Sequence, residues 1–543
     1  MEQLVSDRTT LTAVPTSAIS QPRTQGAATT GAAGPADKAR SADKEQTTGS
    51  PGRHGPAAAD PGALRNRPGL ALAIIVTCQL MLVLDATVMN VALPRIQSSL
   101  HFSSTDLAWV LDAYTLTFGG LLLLGGRVGD LLGRRRMFIG GVALFTLASL
   151  AGGLATSSTW LLIARVVQGV GAAAAGPSAV ALLTSTFTEP RARLRALSVF
   201  SGMSAAGFAV GLIVGGLLTE WTSWRWVLFI NVPFGIAAVL LAPRFLREPE
   251  RRRARLDLGG AVTATGGVGA LVYGLIHAAA SGWGTSTTLL SLGAGVVLIT
   301  LFLALQARSD QPLLPLHLFR DRNRAAAYAN FLLGPAAGMS MFFFFSQYLQ
   351  DVLGYSPLRT GFAFLPTTVL IFGITRLIPR FLPRFGPKPV ALAGTVLMGS
   401  GLGWLTQVSP HSGYAADLLG PMVLMGLGIG LAFSPLTVVI MSTVEPKDAG
   451  AAGGAMQTMQ QTGATLGLAV LVTLYGTAVR HSPTHSMVSG DHAAFAGSVV
   501  LMLAALLVAT TFRKVVPPAR PTQARPDADR QSEEAELRAA AEV

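Results

Sequence analysis

A chain of 543 residues, half of them hydrophobic and only 13% charged, falls well below the roughly 25% charge of soluble domains, which excludes an ordinary soluble globular protein. The formal net charge of +13 does not point to nucleic acid, because the arginines sit in short clusters between apolar runs instead of forming one basic patch. The single cysteine, Cys78, excludes an intrachain disulfide and lies in an apolar run, where it packs as a small hydrophobe.

Residues 1–68, rich in Ala, Thr, Gly, Ser and Pro, carry too little apolar surface to offset the entropy of ordering, so a disordered tail is expected there. Residues 513–543 read the same way. No apolar core near the start looks like a cleavable signal, and the first span is expected to direct insertion. Between the tails lie fourteen apolar runs of the roughly 20 residues that an α-helix needs to cross a bilayer. They are too long for barrel strands, and only helices or closed barrels satisfy a backbone in lipid. They fall near 70–93, 107–126, 137–156, 160–187, 196–219, 225–243, 258–279, 287–306, 327–350, 358–379, 389–407, 416–441, 453–479 and 493–512.

Cationic residues concentrate in alternate loops: Arg127 with Arg134, Arg135 and Arg136, then Arg191 to Arg195, Arg244 to Arg255, Arg308 to Arg324, Arg376 to Lys388, and Lys447. The intervening loops offer only Arg95, Arg225, Arg359 and Arg480. Cytoplasmic loops carry such an excess, which predicts a multi-pass protein of the cell membrane with both termini cytoplasmic. Trp109, Trp160, Trp221, Trp224, Trp226 and Trp283 fall near the predicted outer ends, where amphipathic rings prefer to sit.

The loop after the second span reads GGRVGDLLGRRRMF. Gly126, Gly129 and Gly133 let backbone and neighbouring helices approach closely, and Asp130 stands four residues before Arg134, a pairing distance on a helix face. A loop that only set topology would need the arginines and neither the glycines nor the acid. Gly126, Asp130, Gly133, Arg134 and Arg135 match the G-x-x-x-D-x-x-G-R-[RK] signature of the major facilitator superfamily, which the chain resembles from about residue 70 to 512. RVVQGVGAA, with Arg165, Gln168, Gly169 and Gly171, is similar to the family's fourth-span motif. A dinucleotide loop is excluded there, since no strand precedes it. LDATVMNVALPRI, WRWVLFINVPFG and YLQDVLGYSPLRTGFAFLP resemble the fourteen-spanner drug:proton antiporter branch. That branch's fifth-span motif appears as GFAVGLIVGG: Gly207, Gly211, Gly215 and Gly216 fit as a helix-packing face, and Leu212 replaces a proline, which is expected to straighten the helix.

The resemblance implies an all-α integral membrane fold of two six-helix bundles, with substrate and coupling sites near the middle of the membrane. The domains would be a tail at 1–68, an N-terminal bundle at 69–245, linker loops with two inserted helices at 246–325, a C-terminal bundle at 326–512 and a tail at 513–543. The loop PRFLPRFGPKP aligns with the Asp130 loop through Gly386 but has Pro383 in place of the acid, so the halves should be unequal.

A carboxylate inside a span costs about 2.5–3.5 kcal/mol on insertion scales and must face a cavity, find a partner or bind a proton. Asp85 is therefore the expected proton carrier, with Arg165 approaching Asp85, Asp112 or both at one depth. For substrate contact, adaptable apolar and amide side chains suit bulky, varied ligands: Tyr114, Phe118, Phe331, Phe342, Met456, Gln457 and Gln461. The leading expectation is a monomeric antiporter that exports hydrophobic drugs or antibiotics against protons, with the gradient as energy source, no cofactor or metal, and no nucleic-acid partner. A proton symporter importing a nutrient and a non-transporting membrane sensor are the alternatives. No Walker loop or HExxH motif supports an enzyme.

Overall fold

A computed structural model describes residues 68–249, 256–309, 311–445, 448–482 and 486–512. The predicted disordered tails, Pro68 aside, lie outside the described residues, as do Arg251 to Arg255 and Lys447. The described chain is helical, with no strand among its residues. In chain order the helices are α1 Pro68–Leu100, α2 Asp106–Leu132, α3 Arg134–Gly153, α4 Ser158–Thr186, α5 Pro190–Trp221, α6 Trp226–Phe245, α7 Leu258–Ser281, α8 Ser286–Arg308, α9 Arg322–Val352, α10 Pro357–Phe385, α11 Pro387–Leu405, α12 Tyr414–Thr443, α13 Ala449–His481 and α14 Met487–Thr510.

Among the described residues, thirteen of these helices are long and apolar enough to cross a membrane. The fourteenth expected span is α11, only 19 residues long, whose opening Pro387-Lys388-Pro389 dilutes an apolar remainder. α1 continues past its predicted end near Leu93 because Pro94 does not break it. A proline removes the helical donor to the carbonyl four residues earlier. Here that carbonyl, Asn90 O, accepts from Ser346 Oγ of α9 at 3.1 Å, and the next, Val91 O, accepts from Gln350 Nε2 at 3.0 Å. α5 runs unbroken through Leu212.

Packing repeats along the chain. α1 packs on α4, α5 and α6, and α3 on α4 and α6, with α2 on α4; eight helices later, α9 packs on α12, α13 and α14, and α11 on α12 and α14, with α10 on α12. The register repeats too. A Cβ on Gly141 of α3 would stand 2.7 Å from both Ala175 N and Gly171 O of α4; one on Gly394 of α11 would stand 2.6 Å from Ala432 N and 2.8 Å from Gly428 O of α12. α7 and α8 pack as a pair, joined to the rest through α2 and α13. α8 is only 17% buried over its apolar window, against 61% for α1, and turns Leu289, Leu290, Val296 and Val297 outward as a lipid-facing helix would.

One apolar cluster joins both six-helix sets at the end of the molecule remote from Pro68 and Phe512, running from Val88 to Leu111 and across to Phe343, Phe345, Phe364 and Met422. A second cluster nearer the termini draws on α1 to α6, and a third mainly on α9 and α11 to α14. The terminus-distal end is therefore the sealed one. Of the tryptophans expected at the interface, Trp160, Trp221, Trp226 and Trp283 are exposed, but Trp224 is buried with the Arg225 guanidinium 4.6 Å above its ring.

Candidate functional site

The first and second clusters meet along α1 between Leu82 and Val88, and Asp85 occupies the seam. It is fully buried, as is Arg165 of α4. Arg165 Nη1 donates to Asp85 Oδ2 at 2.5 Å, and its Nε donates to Val110 O of α2 at 2.8 Å. Asp85 Oδ1 accepts from Gln168 Nε2 and Asn231 Nδ2, both at 3.0 Å. Gln168 Nε2 also donates to Ser149 Oγ of α3 at 2.7 Å. The Arg165 guanidinium lies 4.5 Å from the centre of the Tyr114 ring. Five helices thus converge on one carboxylate. Burying the pair costs several kcal/mol per ion, offset only by such near-complete hydrogen bonding.

The bonding is near-complete and not total. Arg165 Nη2 and Asn231 Oδ1 are buried with no partner, and so is Asp112 Oδ2. Asp112 is buried in the opening turns of α2, two residues from the carbonyl that holds Arg165. Arg165 pairs with Asp85 and not with Asp112. The depth reading could not choose between the carboxylates, because depth along each helix says nothing of facing. Gln168, Ser149 and Asn231 were missed as site residues. Gln168 and Asn231 stand inside the motif stretches already quoted; Gln168, one helical turn from Arg165, could have been found from that spacing, whereas Asn231 meets Asp85 from another helix.

At the terminus-proximal end Asp130 Oδ1 accepts from Arg134 Nη2 at 2.5 Å. The pair does not share one helix face as expected: α2 stops at Leu132 and α3 starts at Arg134, so the bond bridges the break at Gly133, where φ is +107°. Arg135 N donates to Glu248 Oε1 at 3.2 Å and Arg135 Nη1 to Leu246 O at 3.3 Å, docking the loop on the end of α6. Gly133 faces the Glu248 carboxylate and Gly129 faces Arg134. Gly126 does not make the expected close approach: a Cβ there would meet only Pro177 Cβ at 3.8 Å. The neighbouring Gly125 does, lying against Ala173 O, the carbonyl that Pro177 leaves without its helical donor.

Gly207, Gly211 and Gly215 face Leu80, Thr87 and Val88 of α1, whereas Gly216 faces Pro357 and Leu358 at the start of α10. The motif therefore packs α5 inside its own set and also against the other. Of the substrate candidates, Tyr114 is buried under Arg165 and stacks with Phe118 at 5.8 Å, so it walls the ion pair. Phe331 is buried against Phe433, and Phe342 lies half-buried between Phe208 and Phe364. Met456, Gln457 and Gln461 are half-buried on α13, and Gly119 of α2 packs directly on Gln461 Cβ. The candidates do not form one cluster: Gln461 lies at the contact of α2 with α13 that joins the two sets, whereas the Phe118 ring turns toward Gly176 of α4.

The model of the Major Facilitator Superfamily matches residues 75–468. The cephamycin export protein of Amycolatopsis lactamdurans is 40% identical over 440 residues, 80% of this chain and 90% of that relative. The puromycin resistance protein of Streptomyces alboniger is 42% identical over 408 residues, 74% of this chain and 81% of the relative. Among solved structures, an auto-inhibited peptide transporter of the POT family superposes with a TM-score of 0.61 over 83% of this chain and 99% of its own, at 14% identity. A nucleoside transporter superposes with a TM-score of 0.60 over 81% of this chain and 100% of its own, also at 14% identity. At that identity the likeness speaks for the fold alone.

Proposed function

The chain belongs to the major facilitator superfamily, and on that premise we propose that it exports hydrophobic drugs or antibiotics across the cell membrane in exchange for protons. It is a multi-pass membrane protein and a transporter, not an enzyme. The export of antibiotics rests on relatives named for cephamycin export and for resistance to puromycin, tetracenomycin C and lincomycin. In this reading both termini are cytoplasmic, the chain works as a monomer, and residues 69–245 and 326–512 are bundles that rock about the site, with 246–325 carrying the inserted pair. The sealed terminus-distal end then faces outward, and the conformation is one that loads from the cytoplasm.

The observation that carries proton coupling is the buried Asp85–Arg165 pair. Every donor to Asp85 is matched to its ionised form: Arg165, Gln168 and Asn231 all give protons to hydrogen bonds and none accepts one from it. Three of the carboxylate's roughly four accepting sites are taken by donors, so protonation puts a further donor into a donor-lined site and removes the charge that holds Arg165, which weakens the pair. Arg165 is then released toward its remaining partners, Val110 O and Gln168 Oε1, and the junction of α1 with α4 loosens. No cofactor enters this scheme. Asp112, with a bare buried oxygen two residues from the carbonyl that holds Arg165, is a second stop for the proton. The Asp130–Arg134 bridge steadies the cytoplasmic loop in this state.

The test is export by an efflux-deficient host that expresses this chain, read as susceptibility to a panel of hydrophobic antibiotics. At least one compound is expected to become less toxic, with the protection abolished by a protonophore. Unchanged susceptibility across the panel, or protection that survives the protonophore, contradicts the reading.

A further inference from the structure

Away from the Asp85 network, at the terminus-distal end, a narrow cleft is lined by Asp351 at the close of α9 and Asp491 near the start of α14, together with Tyr348, Tyr475, Gln97 and Gln347. Asp491 is only 2% exposed. Its carboxylate lies on the cleft wall, and no donor among the described residues bonds it. Tyr475 reaches the same wall because residue 490 is glycine: a Cβ there would stand 2.6 Å from the ring's Cδ2. The floor leaves ≈ 10 Å³, space for about one water-sized group. Through Asp351, Gln97 and Met487 the cleft opens into a bowl of ≈ 580 Å³ that also includes Pro94 and Phe102, a volume suited to a small organic molecule.

Two carboxylates beside aromatic rings call for a cation. A calcium or magnesium ion wants six or more oxygen ligands, yet among the described residues no group of three or more His, Cys, Asp or Glu stands together. A quaternary ammonium is too bulky for a one-water floor. A primary ammonium is the size of that space and carries three N–H donors, and an apolar body attached to it would rest in the bowl. We propose that this vestibule binds amphiphilic primary amines, with the ammonium between Asp491 and Asp351 and the body against Pro94, Phe102 and Met487, as they leave the transporter. The inference rests on the export reading for the direction of travel only; occupancy is measurable without a gradient.

The experiment titrates the purified full chain in lipid nanodiscs with dansylcadaverine, a primary amine on an aromatic body, and with its neutral N-acetyl derivative. The amine is expected to bind about tenfold more tightly. Asp491→Asn should bring the two affinities together, Asp351→Asn at the more exposed rim should narrow the gap, and Glu220→Gln, a carboxylate at the same end outside the cleft, should leave it intact. Equal binding of the two compounds by the wild-type chain overturns the proposal, as does a preference that survives both Asp491→Asn and Asp351→Asn. Displacement of the amine by millimolar sodium or calcium marks an inorganic cation site and overturns it as well. A wild-type chain that shows the amine preference but gives no protection in the host assay refutes export and leaves the vestibule standing.

Discussion

Helix α5 lies on α1 through Gly211 and Gly215, and α13 lies on α9 through Gly463 and Gly467, the same spacing at the same place in each six-helix set. That register aligns Asp85 of α1 with Leu333 of α9. The matched contacts of α3 with α4 and of α11 with α12 align Arg165 with Met422, Gln168 with Met425, and Ser149 with Leu402. Met422, Met425 and Leu402 are buried members of the cluster that seals the terminus-distal end. One set thus carries a polar layer where the other carries an apolar one on equivalent packing. Since an apolar layer holds the second set together, packing alone does not require the ion pair in the first, and the proposed proton coupling would account for its cost.

The largest effect should come from converting half of one layer into the other. Arg165→Met leaves Asp85 buried and unpaired, and a loss of about 3–5 kcal/mol is expected, seen as a fall in melting temperature of the purified protein. Asp85→Leu with Arg165→Met copies the second set at the charged half of the layer and leaves Gln168 Nε2 and Asn231 Nδ2 without their carboxylate, so its melting temperature should rise above that of Arg165→Met alone while proton-driven export stays lost. Recovery of export by the double variant would break the comparison.

Glycine contacts come next. Gly211→Val and Gly463→Val each force apart a helix pair at matched positions, and each should cost about 1–3 kcal/mol of stability. A large effect in one set and none in the other would show that the register does not repeat. Gln168→Leu removes one donor from Asp85 Oδ1 and leaves Ser149 Oγ only the longer contact from Asn231 Nδ2 at 3.4 Å, a loss of about 1–3 kcal/mol; Met425→Leu, its counterpart in the apolar layer, should cost less than about 1.5 kcal/mol. The smallest effects lie in the loops. Gly133 and Gly386 both have positive φ, +107° and +79°, but a Cβ meets Glu248 only at Gly133. Gly386→Ala should cost about 1 kcal/mol from the backbone alone, and Gly133→Ala more, with a matching fall in export.

Much of this was legible in the sequence. Helix positions followed from runs of apolar residues, since the bilayer imposes length on every span; the Asp130–Arg134 pairing followed from its spacing, Asp85 stood out as a charge that lipid does not tolerate, and Arg165 stood out through the family motif that it matches. What was not legible depended on facing and on neighbours from other helices. Pro94 reads as a helix end until Ser346 is seen to take up the carbonyl it frees. Tyr114 reads as a substrate contact until Arg165 is seen to cover it. Gly463 and Gly467 were passed over because α13 is rich in small residues throughout, and nothing in α13 alone says which of them meet α9. Asp491 was likewise lost near the end of a predicted span, where solvation would make a carboxylate ordinary.

The most direct measurement is substrate transport by Asp85→Asn in sealed vesicles. Asparagine keeps the size of the side chain and one accepting oxygen but cannot carry the proton. With a proton gradient imposed and an exported antibiotic as substrate, the wild-type chain should build a substrate gradient, whereas Asp85→Asn should build none and still exchange substrate downhill between the two faces. A substrate gradient built by Asp85→Asn at the wild-type level would contradict the assignment of Asp85 as the proton carrier.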